Sequence, residues 1–212
     1  YADGIYFVRL ISLQSTGELS PAIANALDLP LNPDIELEEQ LLGYLHDRKL
    51  MLVLDNFEHL LDGDPEAVGG ADFVADMLSA AFGVKIVATS REALNVQGEC
   101  LYPVGGMRYP SESSLNDIED YSAVQLFAQS ARRVRPDFDL AAEQACVVRI
   151  CRLVEGMPLA IELAAAWLKV LPCSEIVQEI ARSLDLLTTS LRNVPPRHRS
   201  MRAVFDHSWN LL

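Results

Sequence analysis

The stretch LMLVLDNFEH, residues 50–59, decides the fold of the first half of this 212-residue chain. Five consecutive apolar residues, 50–54, end abruptly at Asp55. An uninterrupted apolar run of this length is typical of a parallel strand that is covered on both faces of its sheet. Asp55 is therefore expected at the carboxyl end of a buried strand, where the ligand crevice of an open parallel sheet lies.

Two further apolar runs flank this strand at the spacing of βαβ units. Residues 4–13 (GIYFVRLISL) and residues 84–88 (VKIVA) are both predicted to be strands, and the second ends at Thr89-Ser90-Arg91. Helical spacing of apolar residues occurs between the strands, in the segments 18–29, 37–47 and 73–82. Strands that alternate with helices in this way predict an α/β fold with a mostly parallel sheet.

The second half of the chain has a different character. Residues 105–117 are rich in Gly, Pro, Ser and Asn, which is the composition of a linker. A break at 193–196 precedes a last amphipathic helix over residues 200–212. Helical spacing recurs between these two breaks, in the segments 121–133, 141–154, 158–171 and 174–187. The sequence therefore predicts an α-helical bundle after the sheet.

Composition restricts the class of protein. Half of the residues are apolar and 22% are charged, so the chain can bury a core and is not expected to be disordered. No apolar run approaches the roughly 20 residues that span a bilayer, and the first residues do not resemble a secretion signal. We therefore expect a cytoplasmic location and no membrane partner.

Charge is distributed unevenly along the chain. Residues 1–106 contain 5 Lys and Arg against 17 Asp and Glu, a net charge of −12, whereas residues 107–212 contain 12 against 13, a net charge of −1. An acidic half makes a poor nucleic-acid surface, because binding to phosphates needs clustered Lys and Arg. We interpret the basic stretch at residues 192–202 as a solvated or interdomain face and expect no direct nucleic-acid binding.

The four cysteines, Cys100, Cys146, Cys151 and Cys173, show no CxxC pairing and no His partner at metal-ligand spacing. Neither a zinc site nor a disulfide framework is predicted from this pattern. Buried, reduced thiols are the expected state in a cytoplasmic protein.

Two carboxylates near the end of the central strand are candidates for metal and catalytic chemistry. A carboxylate at the position of Asp55 can hold Mg²⁺ directly or through water, as the Walker-B acid of P-loop NTPases does. Glu58 is placed to orient or deprotonate an attacking water. The alternative is that Asp55 only caps the following helix, a common role for Asp after a strand. The motif alone does not separate these two interpretations.

Arg91 ends the next predicted strand and is therefore expected at the same edge of the sheet as Asp55. Its guanidinium fork suits the oxygens of a terminal phosphate. The alternative is a surface arginine that pairs with Glu92 or Glu99. An acid and an arginine at one edge favour the phosphate interpretation.

Four motifs occur together in this chain. They are LMLVLDNFEH (50–59), VKIVATSR (84–91), GMPLAIEL (156–163) and a closing segment that contains RSMRA (199–203) and Ser208-Trp209. In this order and spacing they resemble the NB-ARC-like ATPase region of bacterial STAND signal-transduction regulators, the kind found in AfsR-like and LuxR-type transcription factors. The resemblance covers nearly the whole chain.

The resemblance implies roles for individual residues. Asp55 matches the Walker-B acid that holds Mg²⁺, Arg91 matches a sensor arginine that faces the γ-phosphate, and Pro158 matches a proline that packs against the nucleotide. The resemblance also implies three domains: a nucleotide-binding α/β core over residues 1–107, a helical domain over 108–192 and the first part of a winged helix over 193–212.

Two features depart from the pattern of the family. Asn56 stands where the family often has a second acid, which leaves Glu58 as the candidate catalytic base. No Gly-Lys pair occurs in the sequence, so the P-loop GxxxxGK[ST], which cradles phosphates, is absent from it. In the family this loop lies just upstream of the strand that corresponds to residues 4–13. We therefore expect a fragment that begins after the P-loop and contains an incomplete P-loop NTPase core.

The resemblance implies a nucleotide-dependent switch of a bacterial transcriptional regulator. Its cofactors would be ATP or ADP with Mg²⁺, and the parent protein would be an ATPase-type switch with slow or no hydrolysis. Its partners would be other domains of the same polypeptide and further copies of it on activation. The competing interpretation is an interaction scaffold that keeps this fold without binding nucleotide.

Overall fold

The computed structural model describes residues 1–61, 69–111, 117–183, 187–188 and 201. Contacts divide the chain into two compact units, Tyr1–Tyr102 and Pro103–Leu212. The described residues form three strands and seven α-helices: β1 (Ile5–Arg9), α1 (Leu19–Ala26), α2 (Leu37–His46), β2 (Met51–Asp55), α3 (Gly70–Ala80), β3 (Lys85–Ala88), α4 (Ser122–Val134), α5 (Leu140–Leu153), α6 (Pro158–Ala166) and α7 (Cys173–Arg182). The predicted α/β class is confirmed.

The three strands form one parallel sheet in the order β1-β2-β3. The register aligns Val8 with Leu54 and Leu54 with Ala88, while Arg9 lies opposite Asp55. Because the strands are parallel, their carboxyl ends meet at one edge of the sheet, which we call the carboxyl edge. Asp55 and the residues that follow Ala88 therefore lie close together.

Strand β2 differs from its prediction as a strand covered on both faces. Leu52 and Leu54 are fully buried, whereas Met51 and Val53 are only partly buried. Val53 aligns with Phe7 on β1 and with Val87 on β3, which are 56% and 46% exposed. The reason is that the first unit packs its described helices against one face of the sheet, so burial along β2 alternates with period two.

The core of the first unit joins that buried face to the apolar sides of three helices. Each helix contributes two or more fully or almost fully buried side chains, because its apolar residues recur at three- and four-residue spacing. The buried set includes Leu19 and Ile23 on α1, Leu41 and Leu45 on α2, and Phe73, Val74 and Met77 on α3. Burial of one such side chain stabilises the fold by about 1.5–3 kcal/mol.

Asp3 connects the start of β1 to the turn before β2. Its Oδ2 accepts a hydrogen bond from the backbone nitrogen of Lys49 at 2.7 Å, and its Oδ1 accepts one from Nη1 of Arg48 at 3.2 Å. The bond from Lys49, followed by that from Arg48, holds the pKa of the Asp3 carboxyl below its usual range. The folded state therefore favours the ionised form of this side chain.

We expect Asp3→Asn to lower the stability of the first unit modestly at pH 7. A lowered pKa in the folded state means that the contribution of Asp3 is complete above its unfolded pKa of about 4 and is lost as the pH falls through the folded value. Urea midpoints of both proteins at pH 7 and in acid measure this difference. A difference that stays constant with pH would contradict an ionic origin.

The second unit is the predicted helical bundle. Helices α4 and α6 pack together, as do α5 and α7. The rings of Phe127 and Phe138 lie at its centre with their centroids 6.0 Å apart, and both side chains are buried. Helix α6 begins at Pro158, which suits the first helical turn because proline lacks the N–H that would be unpaired there.

Part of the predicted linker, residues 105–117, is bound to the second unit. The backbone nitrogen of Met107 donates to the carbonyl of Gly156 at 2.8 Å, and the backbone nitrogen of Ala123 donates to the carbonyl of Arg108 at 3.1 Å. Residues 105–111 form no helix or strand, as their composition predicts, but the backbone of Met107 and Arg108 is bound to the turn after α5 and to the start of α4.

Three sequence predictions lie outside the described residues. They are the terminal helix over 200–212, apart from Met201, the winged-helix segment over 193–212 and the basic stretch over 192–202. The division into domains at residues 107 and 192 remains a prediction. Among the described helices, none has the length and apolar character that crossing a bilayer requires.

Candidate functional site

Asp55 is held in place at the carboxyl edge by a threonine from the neighbouring strand end. The hydroxyl of Thr89 donates to Oδ1 of Asp55 at 2.8 Å. The same hydroxyl oxygen accepts the backbone N–H of Asn56 at 2.9 Å. This bond uses one carboxylate oxygen of Asp55, and a carboxylate has a second oxygen that can bind a metal ion or its water.

The turn after β2 brings the two strand ends together. Asn56 has a φ of 65°, in the left-handed region that asparagine tolerates better than most residues. This conformation lets the backbone nitrogen of Phe57 donate to the carbonyl of Thr89 at 2.9 Å. The fully buried ring of Phe57 then fixes the turn in the core. Asn56 therefore has a conformational role here.

Asp55 does not cap the helix that follows it. A short 3-10 helix begins at Glu58, its N-cap residue is Phe57, and no side chain caps its first turn. The carboxylate of Asp55 instead binds Thr89 across the carboxyl edge. The helix-cap alternative for Asp55 is therefore wrong.

Glu58 and Arg91 form an ion pair next to Asp55. Nε of Arg91 lies 3.4 Å from Oε1 of Glu58, and the side-chain amide of Asn56 donates to the same oxygen at 3.4 Å. Glu58 is only 6% exposed, whereas the side chain of Arg91 is 36% exposed. Arg91 thus compensates a buried carboxylate and still reaches solvent.

The ion pair with Glu58 differs from the surface pairing with Glu92 or Glu99 that was the alternative for Arg91. Glu99, one of its two expected partners, accepts the backbone N–H groups of Leu94 and Asn95 at 3.0 and 2.8 Å. The described partner of Arg91 is Glu58, which is the candidate catalytic base. The structure therefore gathers Asp55, Glu58 and Arg91 at one edge of the first unit.

Pro158, the remaining predicted site residue, lies in the second unit at the first position of α6. It follows a sharp backbone turn at Glu155 and Gly156, which have φ values of 51° and 69°. Within its own unit, this position is explained by the helix start alone.

Sequence spacing missed one arrangement of cysteines. Ligand atoms of Glu143, Cys146 and Cys173 lie within 4.8 Å of one another. Glu143 and Cys146 are three residues apart on α5, a spacing that places both on one helix face. This spacing is the feature of the sequence from which the pair could have been predicted. Cys151 is buried as predicted, whereas Cys100 is exposed, so the prediction of buried thiols is wrong for Cys100.

A scan against protein-family models finds no match for this chain. Comparison with individual known proteins does find relatives. A protein of Mycobacterium tuberculosis named "Putative HTH-type transcriptional regulator" is 35% identical over 211 residues, and a Mycobacterium bovis protein of that name has the same identity. The alignment covers 99% of this chain. An uncharacterized protein of Mycobacterium tuberculosis is 35% identical over 195 residues, or 92% of this chain.

These relatives are longer than the chain. The chain spans 22% of the length of the two regulators and 46% of the length of the uncharacterized protein. Over almost all of its length, the chain is therefore related to a segment of mycobacterial proteins that are named as transcriptional regulators of the helix-turn-helix type.

Proposed function

We propose that this chain is the nucleotide-dependent switch segment of a bacterial transcriptional regulator and that it supplies part of the site at which the intact protein binds ADP or ATP with Mg²⁺. One observation carries the proposal: the Asp55 carboxylate, held by Thr89, lies at the carboxyl edge together with the Glu58–Arg91 pair. Ligands of open parallel sheets bind at this edge. The regulatory names of the relatives support the same class of function.

The three residues have complementary tasks in this proposal. Asp55 offers carboxylate oxygen, the ligand type that Mg²⁺ prefers, either directly or through a bound water. Arg91 offers a planar fork of N–H donors that suits phosphate oxygens. Glu58 is the candidate base for an attacking water, because its carboxylate lies beside Arg91, the residue proposed to contact the phosphate that the water attacks.

The Glu58–Arg91 pair favours a site that changes with the bound nucleotide and not a site that is permanently assembled. Nε of Arg91 is bound to Glu58, so the guanidinium can offer all of its N–H donors to a terminal phosphate only when that contact is released. ATP, which carries that phosphate, would draw Arg91 away and free the buried carboxylate, whereas ADP would leave the pair intact. The occupant of the site would thus change the contacts at the carboxyl edge, which is the requirement for a ligand-driven shift between two states.

A second candidate function is an interaction scaffold that has lost nucleotide binding. The observation that favours it is that the polar groups at the carboxyl edge already bind one another, with Asp55 bound to Thr89 and Glu58 bound to Arg91. The sequence also contains no phosphate-cradling P-loop. Nucleotide titration of the intact natural polypeptide, with any segment that precedes residue 1, separates the two functions.

The sharpest test of the proposal is Asp55→Asn in that intact polypeptide. Asparagine retains an oxygen that can accept the Thr89 hydroxyl, so the turn is kept while the charge for Mg²⁺ is removed. We expect the gain in ATP affinity on addition of Mg²⁺ to fall about tenfold, the equivalent of one weak charge-assisted contact. Titration calorimetry with and without Mg²⁺ measures this gain.

The matched control is Glu92→Gln, which removes the same charge from an exposed side chain near the end of β3. It is expected to leave the response to Mg²⁺ unchanged. Equal responses of the folded Asp55→Asn protein and wild type would exclude Asp55 as the metal ligand. No binding of nucleotide to the intact wild type would favour the scaffold.

A further inference from the structure

A cluster of three metal-ligating side chains lies in the second unit and belongs to neither function considered above. Glu143 and Cys146 come from one face of α5, and Cys173 is the first residue of α7. A carboxylate oxygen and the two sulfurs all lie within 4.8 Å of one another. Helices α5 and α7 pack against each other, so the two sides of the cluster are fixed by the core of the bundle.

Burial is graded across this cluster. Cys173 is fully buried, whereas Cys146 and Glu143 are partly exposed. The cluster therefore has a closed side in the bundle core and a side that solvent reaches. A metal ion could enter from the side of Cys146 and Glu143 without unfolding of the bundle.

The net charge of the cluster and its neighbouring arginine suits a divalent cation. Nη2 of Arg135 lies 3.2 Å from Oε1 of Glu143. If both cysteines bind as thiolates, they and Glu143 carry three negative charges, and Arg135 offsets one of them. The remaining two charges equal the charge of a divalent ion. Without such an ion, burial, followed by the neighbouring Cys146 and Glu143, raises the pKa of the Cys173 thiol well above its usual range.

We propose that Glu143, Cys146 and Cys173 form a binding site for one Zn²⁺ ion. Zinc takes thiolate and carboxylate ligands in tetrahedral geometry, with a zinc–sulfur distance of about 2.3 Å. Two sulfurs on one such ion lie roughly 3.8 Å apart, so the two cysteine sulfurs need to approach each other by no more than about 1 Å. The fourth position, on the exposed side, would be taken by water. Arg135 orients the Glu143 carboxylate as an outer-shell partner.

Binding of zinc at this site is coupled to release of protons. Binding of Zn²⁺ by two thiolates releases one proton from each thiol to solvent. Affinity for the metal should therefore rise as the pH increases. A disulfide between the two cysteines is the other chemistry open to the pair, and its formation would require a two-electron oxidant.

The test is titration of the reduced, metal-free chain with Zn²⁺ in competition with a chromophoric chelator. A parallel titration with Co²⁺ gives a visible spectrum that reports tetrahedral thiolate ligation. We expect one equivalent of metal per chain, a higher melting temperature with Zn²⁺ and affinity that increases with pH.

Two variants avoid the fully buried Cys173 and so keep the fold. Cys146→Ser should weaken zinc binding by more than about 100-fold, because loss of an outer-shell partner alone costs roughly 10- to 100-fold. Glu143→Gln should weaken it by at least about tenfold, because Glu143 is itself a ligand, and the glutamine can still accept the bond from Arg135. The matched control is Cys100→Ser, which removes an exposed thiol from the first unit and should change nothing.

Three outcomes of the zinc titrations would overturn the proposal. They are the absence of stoichiometric Zn²⁺ binding by the reduced wild type, unchanged affinity in a folded Cys146→Ser chain, and equal losses in Cys146→Ser and Cys100→Ser. Formation of a Cys146–Cys173 disulfide in a chain that binds no Zn²⁺ would also overturn it. None of these outcomes bears on nucleotide binding, so the two proposals stand or fall separately.

Discussion

Replacement of Gly156 by Ala is expected to destabilise the second unit by about 2–4 kcal/mol, as the sum of backbone strain and a steric clash. Gly156 has a φ of 69°, which a residue with a side chain adopts at a cost. A Cβ atom at this position would lie 2.1 Å from the carbonyl oxygen of Met107 and 2.9 Å from Cδ1 of Tyr109. The clash involves backbone, so the bond from Met107 to Gly156 would have to break or shift.

Substitutions at two other glycines allow the cost of backbone strain to be measured apart from the cost of the steric clash. Gly98 has a φ of 82°, and a Cβ atom added there would have no neighbour within 4 Å, while Gly105 has neither a positive φ nor a close neighbour. Gly98→Ala should therefore show strain alone, and Gly105→Ala should be close to neutral. Both tryptophans, Trp167 and Trp209, lie in the second half of the sequence, so urea unfolding followed by tryptophan fluorescence reports on that half, and far-ultraviolet circular dichroism follows the first unit, which contains Gly98. Equal losses of stability at Gly156 and Gly98 would show that the contact with Met107 is unimportant.

Elements of the fold that depend on local residue patterns could be predicted from the sequence. The apolar run before Asp55 identified β2, and the run 84–88 identified β3, because a strand that packs in a core needs such residues. The parallel order then placed Asp55 and Arg91 at one edge. These inferences depend only on residue type and on the direction of neighbouring strands.

Features that depend on distant residues were beyond sequence reasoning. Alternating burial along β2 depends on which sheet face the helices cover. The bond from the Thr89 hydroxyl to Asp55 joins two strand ends that are 34 positions apart in the chain. The meeting of Cys146 and Cys173 depends on how α5 packs against α7, since 26 residues separate them in the chain. In each case tertiary packing decided between local alternatives.

Arg91→Ala in the intact polypeptide is expected to weaken ATP binding by roughly 10- to 150-fold and to leave ADP binding almost unchanged. This prediction rests on the proposed function. One charge-assisted contact to the terminal phosphate contributes about 1.5–3 kcal/mol, and ADP lacks that phosphate. Titration calorimetry with both nucleotides, in the presence of Mg²⁺, gives the ratio of the two affinities for each protein.

The position of Arg91 makes a control for folding necessary, because its removal leaves the buried Glu58 carboxylate without its cation. Glu58→Gln breaks the same ion pair from the other side and keeps the guanidinium for phosphate. Arg91→Lys keeps the charge but loses the planar fork, so its loss of ATP affinity should fall between those of wild type and Arg91→Ala. If Glu58→Gln weakened ATP binding as much as Arg91→Ala did, the ion pair itself would be required. Equal weakening of ATP and ADP by Arg91→Ala would mean that this arginine supports the carboxyl edge and does not distinguish the two nucleotides.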